Sequence, residues 1–200
     1  WILSLLNSLI KNVDNFLNSY EPTRAGRAIS DFVNDHLSNW YVRLNRKRFW
    51  QGGLTEDKLS AYQTLYTCLE TVAKLMAPIA PFYADQLFCD LISVTGREQV
   101  YSVHLSDFPV CQEALIDKNL EERMQMAQTI SSMVLALRRK VNIKVRQPLH
   151  ILMVPVLDEH QKESIEAVKQ LILNEVNVKD MKFVDNTAGI LVKRIKPDFK

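Results

Sequence analysis

Two hundred residues with 47% apolar content and a formal net charge of +2 can bury one large core, or one core and a small appendage. Lys, Asn, Asp or Pro interrupts every apolar stretch well short of the roughly 20 residues needed to cross a bilayer, which excludes a membrane-spanning segment. Three cysteines, Cys68, Cys89 and Cys111, form no CxxC pair and no even framework, which excludes a disulfide scaffold and fits a reducing cytoplasm.

The chain opens on Trp1 already within a helical period and stops at Lys200 in a charged tail, so both ends read as cut from a longer polypeptide. Ile2, Leu5, Leu6, Leu9, Val13, Phe16, Leu17 and Tyr20 recur three or four apart and predict a first amphipathic helix. Pro22 suits the first turn of a second helix, whose apolar stripe runs through Ala25, Ile29, Phe32, Val33, Leu37, Trp40 and Leu44 toward Phe49. Gly52 and Gly53 end it, and Thr55 followed by Glu56 and Asp57 reads as a cap with carboxylates at a positive helix end. The third helix shows Leu59, Tyr62, Leu65, Leu69, Val72 and Met76 on its apolar face. Pro78 and Pro81 then separate it from a shorter helix that Gly96 terminates.

Residues 97 to 112 lack helical period and contain Ser106, Asp107, Phe108 and Pro109, the composition of an ordered loop. Asp117 is placed to cap a helix carrying Leu120, Met124, Ala127, Ile130, Val134, Leu137 and Val141. After Pro148 the pattern changes: Leu149 to Val156 is a β-rich run, Asp158 to Asn174 is helical, and Met181 to Val184 and Ile190 to Ile195 read as short strands. The fold class is therefore mainly α: an antiparallel helical bundle over 1–148 followed by a small α+β module over 149–200, which reads as incomplete.

Catalytic chemistry finds no support. Five glycines make neither GxGxxG nor GxxxxGK[ST], so no loop cradles a nucleotide phosphate. His36, His104, His150 and His160 share no metal-ligand spacing and sit beside no cysteine, and Glu121 and Glu122 lie in a first helical turn where they complement the dipole. The charge map is more informative. No acidic residue occurs between Asp35 and Glu56, while Arg43, Arg46, Lys47 and Arg48 are interleaved with Trp40, Tyr41, Phe49 and Trp50. Cations that neutralise phosphates beside planes that stack on splayed bases are how single-stranded RNA loops are held. Trp40 continues the buried stripe and reads as core, whereas Arg43, Arg46 and Lys47 fall off it and suit either a solvated face or phosphate contacts. A second acid-free stretch, Arg123 to Leu157, holds Arg138, Arg139, Lys140, Lys144 and Arg146. A helix C-terminus accounts for Arg138 to Lys140 but not for Lys144 and Arg146 beyond it. Physics alone leads to a helical domain that binds RNA or, as the second choice, protein.

Leu37-Ser38-Asn39-Trp40-Tyr41-Val42-Arg43, continued by Asn45-Arg46-Lys47-Arg48-Phe49-Trp50, closely resembles the signature helix of the isoleucyl-tRNA synthetase anticodon-binding domain. Ala61 to Tyr66, Leu75 to Phe82, Ser102 to Pro109 and Lys144 to Leu149 resemble further segments of that domain, in the same order, so the likeness covers residues 1 to about 149. Valyl and leucyl relatives share the fold, but a valyl enzyme is expected to carry an acidic residue where Arg43 stands and to lack Arg146-Gln147-Pro148-Leu149. The resemblance implies an enzyme that joins isoleucine to tRNA(Ile) with ATP and magnesium, of which this chain supplies recognition of the anticodon arm. It implies tRNA contacts at Arg43, Arg46, Lys47, Arg48 and Trp50, with Lys144 and Arg146 as a second group. The HIGH and KMSKS signatures and the editing domain are absent, so no catalytic residue is expected here. No cysteine follows Cys111, which leaves the zinc module of some relatives unsupported. A monomer without a membrane partner is expected, and a valyl or leucyl domain or a protein-interaction scaffold is the alternative.

Overall fold

The computed structural model describes residues 1–96, 100–156 and 158–184. These form two compact units, Trp1–Lys118 and Asn119–Lys200. Packing thus divides the chain at 118/119, thirty residues before the change from helix to strand at Pro148.

The first unit is all-helical. Helix α1 (Ile2–Asn18) is followed by α2 (Pro22–Asp31), which begins with Pro22 in its first turn as predicted. Phe32–Val42 continues α2 as a π-helix, and a short α3 (Arg46–Trp50) follows. Helix α4 (Glu56–Met76) starts at Thr55, whose hydroxyl accepts from the Lys58 N–H at 3.2 Å. Helix α5 (Pro81–Thr95) ends at Gly96 in the left-handed conformation. A buried cluster from α1, α2, the π-helix, α3 and α4 forms the main core, including Leu6, Val13, Ile29, Phe32, Leu37, Cys68 and Leu75. A smaller cluster joins Ala73 of α4, Ala84 and Phe88 of α5, and Val103. The loop after α5 is ordered around Val103–Leu105 because the Asp85 carboxylate accepts from Ser102 Oγ at 2.7 Å and from the Val103 N–H at 2.9 Å.

Several positions depart from the predicted stripes. Tyr20 is exposed, not buried: α1 ends at Asn18, and Tyr20 takes the left-handed position of a C-terminal cap, with Glu21 N–H bonded to Phe16 O and Tyr20 N–H to Leu17 O. Leu44 is exposed and Tyr41 buried, because i→i+5 bonding widens each turn and carries the inward face through Phe32, Leu37 and Tyr41. On α4 the buried line is Ala61, Cys68, Val72, Ala73 and Leu75, which leaves Leu59 and Tyr62 exposed at its edge. Small residues let α4 approach its neighbours closely, a preference that hydrophobicity alone does not register.

The second unit holds α6 (Lys118–Lys140, which starts one residue before it), β1 (Leu149–Pro155), α7 (Glu159–Val176) and β2 (Val178–Val184). The strands pair in parallel, Leu149 against Val178 through Pro155 against Val184, with α7 as the crossover. Asp158 caps α7 by accepting from the Gln161 N–H at 2.7 Å. Met124, Ala127, Ile130 and Val134 are buried on α6 as predicted, but Leu137 and Val141 are exposed and Arg138 takes the inward place. The predicted strand Ile190 to Ile195 lies outside the described residues.

Candidate nucleic-acid interface

Trp40 lies in the π-helix and Trp50 is the last residue of α3, and the two differ sharply in exposure. Trp40 is 9% exposed, whereas Trp50 is 74% exposed. The difference arises from an aromatic packing unit behind α3. Tyr41 packs edge-to-face on Phe49 and Phe49 packs tilted on Tyr62, with ring centroids 6.3 Å and 5.1 Å apart. The Tyr41 hydroxyl donates to Ala61 O at 3.1 Å and the Tyr62 hydroxyl to Phe49 O at 3.1 Å. Burial raises the Tyr41 phenol above its ordinary pKa. With Phe49 held inward, the adjacent Trp50 must face away from the core.

Arg46, one turn earlier on α3, lays its guanidinium 4.6 Å from the Trp50 ring centroid, a cation–π pair at the surface. Lys47 is exposed beside it. Arg43 is exposed on the preceding turn, where its Nε donates to Asn39 O at 2.7 Å and its guanidinium lies 6.0 Å from the Trp40 ring. Arg48 points elsewhere. Its Nε and Nη2 donate to the two Asp57 carboxylate oxygens at 2.7 and 2.5 Å, Nη2 also reaches Asp57 O at 3.1 Å, and Nη1 donates to Asn45 Oδ1 at 2.7 Å. This pairing holds the Asp57 carboxyl below its usual range and raises Arg48. The Asp57 charge is thereby neutralised locally, so the exposed end of α3 presents cations and an aromatic face.

Structure thus brings Arg43, Arg46, Lys47, Arg48 and Trp50 onto one continuous segment of the first unit. Lys144 and Arg146 are both exposed, in the second unit, between α6 and β1. Arg138 is not part of a solvated basic cluster. It is 3% exposed and donates to Lys144 O, Gln147 O and Asn177 O at 3.1, 3.0 and 3.0 Å, a structural role. Sequence reading overlooked Asp57, Lys58 and Tyr62 as neighbours of the site. Lys58 Nζ donates to Gln51 O at 2.7 Å, so α4 contributes three side chains to ordering α3 and the turn after it. An acid and a base nine residues apart across Gly52-Gly53 were the available signal. Among the described residues no three His, Cys, Asp or Glu side chains converge as a metal site, and no helix is long and apolar enough to cross a membrane.

Residues 1–153 match the family model of the anticodon-binding domain of tRNA ligases. The chain belongs to this family. Over all 200 residues the domain is 74% identical to isoleucine–tRNA ligase of Bacteroides thetaiotaomicron, 66% to that of Porphyromonas gingivalis and 60% to that of Cytophaga hutchinsonii. The whole chain is covered in each alignment and accounts for 17%, 17% and 18% of those relatives' lengths. The resemblance first read from Leu37 to Trp50 therefore extends across the whole chain, including the strand-containing segment, which the motifs did not reach.

Proposed function

We propose that this domain grips the anticodon arm of tRNA(Ile) for an isoleucine–tRNA ligase, a cytoplasmic enzyme of translation that attaches isoleucine to that tRNA using ATP and magnesium. The observation that carries this reading is the exposed Arg46–Trp50 stack flanked by Arg43 and Lys47 on a stretch without acidic residues. A base freed from its neighbours can stack on Trp50 while the cations meet the adjoining phosphates. The high identity to isoleucine ligases supports tRNA(Ile) over the valine or leucine tRNAs. Arg48 belongs to the same turn through its pairing with Asp57, and Lys144 and Arg146 supply a second set of phosphate contacts.

Residues 1–148 act as the recognition domain and 149–200 as an accessory α+β module within a monomeric ligase. ATP and magnesium serve the parent reaction, and neither GxGxxG nor GxxxxGK[ST] occurs in this sequence.

The two contact types separate by salt. Replacing Arg43, Arg46 and Lys47 together by Gln should flatten the dependence of log affinity on log salt by roughly 0.7 to 0.9 per lost phosphate contact, whereas Trp50→Ala should cost about 1–3 kcal/mol with little change in slope. Binding of tRNA is measured at several salt concentrations after equal melting is established. Wild-type affinity and slope in the triple variant would reduce these cations to a solvated face.

A further inference from the structure

Helix α3 has five residues, too few to be stable by its own hydrogen bonds. The turn after it is equally unsupported: Gly53 has φ +81°, a Cβ at Gly52 or Gly53 would meet no atom within 4 Å, and Leu54 is exposed. Yet this segment carries Trp50, whose usefulness as a stacking face depends on a fixed orientation. Phe49 anchors the segment in the core beside Tyr41, and the first two turns of α4 add its polar ties. Asp57 binds Arg48 through both carboxylate oxygens, Lys58 takes the Gln51 carbonyl, and Tyr62 takes the Phe49 carbonyl.

Resting on the RNA reading above, we propose that Arg48 and Asp57 form a positioning latch, which holds α3 so that the Trp50–Arg46 face is presented to the RNA, and that Arg48 is not itself a phosphate ligand. The stereochemistry decides between the roles. A guanidinium has five N–H donors in a fixed fork. Arg48 spends four hydrogen bonds on Asp57 and Asn45, using its Nε–Nη2 edge on the carboxylate. It cannot grip a phosphate by that edge without releasing Asp57, and release would free the turn that carries Trp50. Asp57 is therefore an acidic residue that assists binding of a polyanion.

That assignment gives a test by sign. Asp57→Asn removes a negative charge beside the binding face, so through-space electrostatics alone would tighten tRNA binding. The latch requires weaker binding, by about two- to fivefold for loss of an exposed ion pair, with the salt slope unchanged because no phosphate contact is lost. Asp57→Glu, which keeps a carboxylate within reach, should retain most of the affinity. Tyr62→Phe removes a neighbouring tie without altering charge and should also weaken binding at constant slope. In a Trp50→Ala background Asp57→Asn should add nothing, since the latch acts through Trp50. The variants are compared in the whole chain by tRNA binding across a salt series, with amide exchange of residues 51–55 followed in parallel; faster exchange in Asp57→Asn is expected. Tighter or unchanged binding by Asp57→Asn while Trp50→Ala binds weakly would overturn the latch and leave the RNA reading standing. An equal loss in the Trp50→Ala background would also overturn it. Failure of the wild-type chain to bind tRNA would overturn both.

Discussion

Trp40, Trp50 and Cys68 each show how neighbours decide what a side chain does. The sequence stripe assigned Trp40 to the core, and it is buried there. Trp50, at the end of the basic run, was legible as a candidate base platform because it is interleaved with cations and closes the family signature. What could not be read was the destination of each arginine. Arg43, Arg46 and Arg48 look alike in sequence, but one returns to its own helix, one lies on Trp50 and one is held by Asp57. Those choices depend on a partner nine residues away and on the path of a glycine turn. Cys68 carries a prediction of its own. It is fully buried on α4, and desolvation pushes its thiol up to about 12. At neutral pH Cys68 should resist an aromatic disulfide reagent in the native chain and react once the chain is unfolded in denaturant. Native labelling of Cys68 as fast as of the partly exposed Cys89 and Cys111, read by mass spectrometry of the labelled peptides, would contradict its burial.

At the scale of elements, the helices fell where periodicity, Pro22, Thr55, Pro81, Gly96 and Asp158 placed them, since these signals act within one turn. The faces were less legible. The π-helix at Phe32–Val42 displaced Leu44 outward and Tyr41 inward, and nothing in a 3.6-residue template announces such a widening. Left-handed ends at Tyr20, Asn142 and Asn177 stop α1, α6 and α7 without glycine. Asn177 does more: its carbonyl accepts from Leu149 N–H and from Arg138, and its side chain donates to Val145 O. Arg138, two residues before the end of α6 on the α6 stripe, thus fastens the connector 144–147 and the start of β2 to one helix. Arg138→Met keeps the apolar stem but leaves three carbonyls without their cationic donor. Such a change should destabilise the second unit by about 2–4 kcal/mol, measured by chemical denaturation with exchange at β1 and β2 as the local probe. Wild-type stability in Arg138→Met would show that these bonds contribute nothing net.

At the scale of the whole molecule, the family was legible because its signature coincides with a constraint that chemistry also recognises, cations interleaved with aromatics along one short segment. The mainly α class and the β–α–β ending were legible from the change of period after Pro148. The grouping of α6 with the strands was not, since it depends on what a helix packs beside and on the path of Arg138, and neither leaves a trace in hydrophobic period. The proposed function assigns this surface to the anticodon arm of tRNA(Ile). Nuclease footprinting of tRNA(Ile), in a mixture with tRNA(Val) and tRNA(Leu), tests this most directly when the whole chain is the only protein present. Protection of the anticodon loop of tRNA(Ile) is expected at the lowest protein concentrations, with loss of that protection in Trp50→Ala. Protection of the acceptor end, or equal protection of all three tRNAs unaffected by Trp50→Ala, would contradict it.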